Sequence, residues 1–442
     1  MCGRRATPLW TNINSWILFK PLEGVLFFAM WQRLTIAVFV LGTSGASSAQ
    51  DSSIADLMRL GPVRAALDVA RDSEPATIRD QIRICEIPAP PFKEAARAQA
   101  LAAALRAAGL QNVRLDKAGN VLGERPGRSA TPHLVISAHL DTVFPEGTNV
   151  QVTRKGSVLH GPGIGDDCRG LALLLAVARA LNAGKVETTG RITFVGTVGE
   201  EGLGDLRGVK ALFTDTLKGR IDRFVSLDST GYGITNVAVG SRRYRVTFRG
   251  PGGHSYDDFG KANPAHALGR AMALLAEFQV PLQPRTTFSV GRVGGGTSVN
   301  ALPADAWMEV DLRSSDSSAL DALDGRFQQA IQRALTLEND RWNQNGRLVV
   351  AVEKIGDRVA GRIADDSPIV RTAQAVTRAV GLTPQLEEGS TDANVPINLG
   401  IPAITIGTGP AAGTHTLQET YDTTASWRGT QLAVLLTIAL AR

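Results

Sequence analysis

Strand-like apolar runs alternate with helical ones through the middle of this chain, and most of the strand-like runs end on acids or histidines. LVISAHL, ITFVGTV and FVSLDS read as buried strands, while LALLLAVARALNAG and the segment around VKALFTDTL read as helices. Alternation of this kind predicts an α/β fold: a mixed, mostly parallel sheet with helices on both faces. The polar residues at the run ends are His139 and Asp141, Asp166 and Asp167, Glu200 and Glu201, Asp228, and the more distant His415. GPGIGDD, which carries Asp166, also reads as adjoining a strand. In an open α/β sheet, loops at strand ends converge on one site. Acids gathered there repel one another unless a cation lies between them. The pattern predicts a metal centre with more than one ion.

The chain has 442 residues, enough for two cores. Its formal charge of +5 owes much to the first 49 residues, which carry Arg4, Arg5, Lys20 and Arg33 against Glu23. Without those four bases and one acid the net charge is +2, which gives no reason to expect nucleic acid or an anionic membrane as a partner. The leader reads as a signal peptide over 1–49, with Met30 as a candidate start, Arg33 as its positive region, Leu34–Leu41 as its apolar region and Ser47-Ser48-Ala49 before the cut. It predicts export, to the periplasm or beyond. The competing reading is a membrane anchor, but no uncharged run reaches the roughly 18 residues of a span. Cys85 and Cys168 are the cysteines left after removal, too few for a disulfide framework, and free thiols are expected. Cys168 adjoins Asp167 but has no suggested His partner for nucleophilic work.

Residues 50–60 are polar and read as a loose start. Helical patterns fill 62 to about 110, and VRLDKAGNVLGER reads as a hairpin. A catalytic domain is expected in two parts, 50–239 and 355–442, around an inserted segment 240–354. That segment alternates as RRYRVTFRG, TTFSVGRVGGG, AWMEVDLRSS and GRLVVAVEKI, with two helical stretches between. Two helices on about four antiparallel strands make a small α+β domain.

Chemistry narrows the clusters further. A His-x-Asp at a strand end lets the imidazole bind metal while an acid fixes another part of the site. Glu200 and Glu201 are neighbours, so in extended backbone they point to opposite sides. One can ligate while the other faces substrate as a base. Asp228 and His415 can complete two coordination shells. A mixed His/carboxylate set suits Zn²⁺, and Mn²⁺ or Co²⁺ also fit. Each element also has an ordinary reading. Asp166-Asp167 precedes a helix and can be its N-cap; Glu-Glu is commonly solvated surface.

The ordered series SAHLDTV, GPGIGDDCRG, GTVGEEGLGD, SLDSTG, RGPGGHS, GGTSVNALP, DLRS, GSTDAN and GTHTLQE resembles the M20 family of metallopeptidases and amidohydrolases, over roughly 62–442. The resemblance implies a zinc-exopeptidase type of fold whose inserted domain is a dimerisation domain and lid. It implies two Zn²⁺ per subunit, with His139 and Asp228 on one ion, Glu201 and His415 on the other, and Asp166 bridging. Asp141 would orient His139, Glu200 would be the general base, and Asp166-Asp167 would be a cis peptide. His254 would reach into the partner's site in a homodimer. Asn300, Arg313, Gly389 and Ser390 match substrate-holding positions, although an ion pair of Arg313 with Asp311 or Asp316 is an equal reading. The sequence departs from the family pattern at Cys168, where Lys is usual. Asn394 replaces an Arg that desuccinylase-type members carry. His133, His160 and His266 read as structural.

The implied activity is hydrolysis of a peptide or amide bond in small peptides or N-acyl amino acids. An inactive or binding-only member, and a periplasmic solute-binding protein of two α/β lobes, are the competing classes. The Gly-rich GPGIGDD and VGGGTS do not form a strand–GxGxxG–helix unit, so nucleotide binding is set aside.

Overall fold

Period-two alternation decides which side of the main sheet each residue covers. Along Leu134–His139, Leu134, Ile136 and Ala138 join one core while Val135 joins another; along Ile192–Thr197, Ile192 and Phe194 split from Val195 in the same way. Both sides of these strands are therefore buried, as a sheet covered by helices on two faces requires. The computed structural model describes residues 41–442, and residues Gly45–Arg442 form one compact unit. Among the described residues, the main sheet has nine strands. Its centre runs Ile192–Thr197, Leu134–His139, Arg223–Leu227 and Ala403–Ile406, all parallel. Antiparallel strands flank it. The expected hairpin, Gln111–Leu115 with Val121–Arg125, adds to one side, and Ile234–Ala238 adds to the other. The buried helix Cys168–Ala183 lies with Gly61–Asp72 and Trp427–Leu440 over the larger core.

The chain leaves this sheet at Val239 and returns after Arg358. Between these points lies a four-stranded antiparallel sheet in the order Thr286–Gly295, Asp305–Ser314, Gly240–Arg249, Val349–Arg358. The last strand thus runs on past the expected return near 355. Helices Pro264–Ala276 and Ser317–Arg341 cover one face, where Ala306, Met308, Val310 and Leu312 are buried. The alternate residues of that strand, including Glu309, Asp311 and Arg313, lie on the other face. Asn394 Nδ2 donates to Val239 O at 2.9 Å and to Val359 O at 3.0 Å, which ties both crossings to one loop. Asn394 is therefore occupied with backbone.

Two expectations need correction. Residues 50–60 are not a loose start: helix Leu41–Arg59 runs through nearly all of them and buries Ile54 and Leu57 in the main core. Their three-residue spacing puts both on one helical face, a signal that the polar composition hides. GPGIGDD is not strand-like: its glycines and proline form a turn. A second small sheet also went unanticipated, made from Thr153–Lys155, Val158–His160, Ala411–Ala412 and Thr420–Asp422. Of the expected signal segment, residues 1–40 lie outside the described residues, and the expected cut after Ala49 falls within helix Leu41–Arg59. Among the described residues, no helix is long and apolar enough to cross a membrane. Leu57→Ala is expected to lower unfolding free energy by roughly 2–4 kcal/mol, read from urea denaturation.

Candidate metal centre

The parallel strands deliver three of the acid and histidine clusters to one end of the main sheet. His139 ends Leu134–His139, Glu200 and Glu201 follow Ile192–Thr197, and Asp228 follows Arg223–Leu227. Asp166 arrives on the turn before helix Cys168–Ala183, and His415 on the loop after Ala403–Ile406. His139 Nε2 lies 2.8 Å from Asp166 Oδ1. His415 Nε2 lies 3.1 Å from Asp166 Oδ2 and 3.0 Å from Glu201 Oε1. Ligand atoms of His139, Asp166 and Glu201 fall within 4.8 Å of one another. Asp228 lines the same 340 Å³ pocket, with Oδ1 accepting from Ser229 N.

Electrostatics expose what the cluster needs. Burial raises the Asp228 carboxyl to about 7. Burial also opposes the His139 imidazolium, yet Asp141, Asp166 and Asp167 outweigh it and hold its pKa well above the usual value. Hydrogen bonds to Asp166 and Glu201 push His415 up to about 10. In this arrangement protons on the two imidazoles balance the carboxylates. A divalent cation between the same N and O donors supplies that balance equally well, so the donor set fits a metal.

The supporting acids divide the labour differently from expectation. The Asp141 carboxylate is 3.7 Å from His139 Nδ1, beyond hydrogen-bond range; its backbone O accepts at 3.0 Å instead. Its two carboxylate oxygens accept from Glu200 N at 3.0 Å and Glu201 N at 2.8 Å. Asp141 thus fixes the Glu-Glu turn with its side chain and His139 with its carbonyl. Asp167 is an N-cap, as its ordinary reading has it: Oδ1 accepts from Gly170 N at 3.0 Å. Its Oδ2 also accepts from His139 N at 2.8 Å. The Asp166-Asp167 peptide is cis. Glu419 accepts from the backbone N–H groups of Gly163, Gly165 and Asp166, which holds the turn.

Residues 135–438 match the profile of peptidase family M20/M25/M40. This chain belongs to that family. Membership makes it a hydrolase of the metallopeptidase and amidohydrolase class. It is 26% identical over 300 residues to the uncharacterized protein YqjE of Bacillus subtilis, covering 66% of this chain and 77% of that one. It is 27% identical over 347 residues to a putative succinyl-diaminopimelate desuccinylase DapE of Mycobacterium tuberculosis, covering 76% and 90%. Among solved structures, aminopeptidase PepT from Bacillus cereus superposes with TM-score 0.68 at 23% identity, over 84% of this chain and 99% of that one. A dinuclear metal binding peptidase of the M20 family, Bacillus subtilis YXEP, gives 0.61 at 18% identity over 83% and 98%. These superpositions agree with the observed fold.

Within this M20 chain, the substrate-side expectations separate. Arg313 and Ser390 line the pocket, and Gly389 lines an adjoining 250 Å³ pocket that shares both. Arg313 also makes the expected ion pair, Nε to Asp311 Oδ2 at 2.6 Å. His254 and Asn300 lie elsewhere, His254 on the short ladder of Gly253–His254 with Ala301–Leu302 and Asn300 in the turn just before the second of these strands. His254 Nδ1 sits 3.3 Å from Asp257 and Asn300 Oδ1 accepts from Ser298 Oγ at 2.6 Å; neither lines the pocket of its own chain. Cys85 and Cys168 are free and buried. His133 is held by Thr193 and the Arg220 carbonyl, as a structural histidine.

Arg358 was not anticipated. It ends the last strand of the inserted sheet, a strand read as stopping near 355. Its Nη1 lies 3.1 Å from Glu200 Oε1, with side-chain exposures of only 4% and 6%. Nη1 also donates to Ser390 Oγ at 3.2 Å, and Nη2 donates to the Glu200 carbonyl. Burial raises the Glu200 pKa well above normal, and Arg358 opposes that rise. Asp392 was missed too: Thr197 Oγ1 donates to its Oδ2 at 2.5 Å, Oδ1 has no partner among the described residues, and burial raises its pKa to about 6. Only the GSTDAN motif hinted at it. Removing one partner of a buried pair costs about 3 kcal/mol or more. Arg358→Met is expected to lose that much stability at neutral pH, and Arg358→Met with Glu200→Gln to lose clearly less, in urea unfolding.

Proposed function

We propose that this chain is an exported dinuclear metallohydrolase that cleaves peptide or amide bonds in small peptides or N-acyl amino acids, with Glu200 as general base. One observation carries the reading: the two oxygens of Asp166 face two different histidines, as a carboxylate shared between two ions would. His139 and Asp228 would hold one ion, His415 and Glu201 the other, and Asp166 both. Zn²⁺ suits these donors, with Mn²⁺ or Co²⁺ as alternatives. Bound there, two such ions would polarise the substrate carbonyl and make a water more acidic.

The remaining work falls to the chain. Asp141 holds the backbone of both glutamates, so Glu201 faces the ligand cluster while the Glu200 carboxylate stands beside it in the same pocket. Glu200 takes the proton of the attacking water and returns it to the leaving amine. Arg358 favours the ionised carboxylate that can accept that proton. Arg313, Ser390 and the Gly389 backbone orient the substrate, the guanidinium suiting a free carboxylate. His254 and Asn300 stand outside their own pocket, which supports a homodimer in which the partner's His254 and Asn300 complete it. His254 would donate a hydrogen bond to the developing oxyanion.

Glu200→Gln is expected to keep its metal content by elemental analysis and to lose about 10²–10⁴-fold in kcat. Near-normal turnover would sink the base assignment. His254→Ala is expected to lose activity with unchanged metal content, and mixing it with Glu200→Gln should restore activity through mixed dimers. No recovery on mixing would remove the action in trans. Chelation is expected to lower Tm, and added Zn²⁺ to restore it. Export predicts a mature N-terminus at Gln50 by mass spectrometry, and an uncut chain would count against it.

A further inference from the structure

The inserted sheet turns a second constellation toward the pocket. Arg243 and Asp311 face each other across antiparallel strands, and Arg313 follows two positions after Asp311, on the same face. Arg243 Nε donates to Asp311 Oδ1 at 3.2 Å, and Arg313 Nε donates to Asp311 Oδ2 at 2.6 Å. One carboxylate thereby steadies two guanidiniums through their inner nitrogens. Arg243 Nη1 donates further to Gly202 O at 2.5 Å, beside Glu201. Arg243 Nη2 and both Nη atoms of Arg313 have no protein partner among the described residues, and both side chains line the 340 Å³ pocket.

Within hydrogen-bonding reach of these two guanidiniums the charges do not balance. Asp311 answers two guanidiniums with one negative charge, and the nearby Arg358 is taken by Glu200. Burial first, then repulsion from Arg358 and from Arg313, lower the Arg243 pKa from the ordinary value, while Asp311 opposes the fall. A substrate with one carboxylate on Arg313 leaves the Nη2 edge of Arg243 without an anion. Two guanidiniums that share one carboxylate lie within the span of an acidic amino acid's two carboxyl groups.

We infer that Arg243 and Arg313 together hold a leaving fragment with two carboxylates, so that the preferred substrate ends in aspartate or glutamate. This rests on the proposed amide hydrolysis, with Arg313 on the terminal carboxylate. Arg243 then receives the side-chain carboxylate through its free edge. Such a site rejects the side-chain amide, because a partly desolvated guanidinium loses its anion. Arg243 is a specificity residue, separate from the proton transfer at Glu200.

The test compares Ala-Glu with Ala-Gln on the metal-loaded full chain. The two differ in charge and hardly in shape. Wild type is expected to favour Ala-Glu by about tenfold or more in kcat/KM, the scale of a charged hydrogen bond. Arg243→Gln is expected to collapse that ratio, and Arg243→Lys to retain part of it. Calorimetric binding of free glutamate against free glutamine to the same three proteins supplies a readout independent of turnover. Hydrolysis of neither dipeptide, nor of any of a panel of other small peptides and N-acyl amino acids, would overturn the proposed function, while the binding comparison would still decide the role of Arg243. Equal handling of glutamate and glutamine by wild type, or a glutamate preference that survives Arg243→Gln, would overturn the inference.

Discussion

Crowded carboxylates are the constraint on which the rest of this structure depends. Asp166, Glu200, Glu201, Asp228 and Asp392 are drawn to one end of the main sheet, and all of them except Asp166 are buried. Left alone, such groups would repel one another or take up protons. His139 and His415 answer Asp166 and Glu201, and Arg358 answers Glu200. A second set of acids spends its charge on backbone N–H groups. Asp141 holds the glutamate turn, Asp167 holds His139 and the following helix, and Glu419 holds the turn that carries Asp166. Acids thus serve two purposes here, some bracing the backbone around the site and others facing the pocket.

The inserted sheet is joined to this centre by charge as much as by chain connection. Its helix-covered face is apolar, while its other face carries Arg243 and Arg313 to the pocket, with Asp311 between them. Arg358 stands where the chain returns, so the same residue ends the inserted sheet and braces Glu200. Asn394 clasps both crossings. The pocket is therefore walled by acids from one sheet and guanidiniums from the other.

Much of the fold was legible because buried strands and amphipathic helices leave different periods. Leu134–His139, Ile192–Thr197 and the inserted strands could be read directly. Helix Leu41–Arg59 could not, since its few apolar contacts are sparse among polar residues. The turn GPGIGDD was misread because its hydrogen-bond acceptor, Glu419, lies more than 250 positions away in sequence. The metal-ligand types were readable from chemistry, and their pairing only through family resemblance. Asp141 lies two positions from His139 in sequence, but a carboxylate's choice between an imidazole and two backbone N–H groups depends on loop geometry.

By itself, the sequence determined the layered α/β architecture, the inserted α+β segment and the residue types of the metal centre. These follow from local periodicity and from the chemistry of particular side chains. Only the tertiary structure decided that Arg358 and Arg243 enter the pocket, that Asn394 is spent on backbone, and that His254 and Asn300 stay outside their own site. Those outcomes depend on which distant segments meet, and hydrogen bonds and charges act across space without leaving a period along the chain.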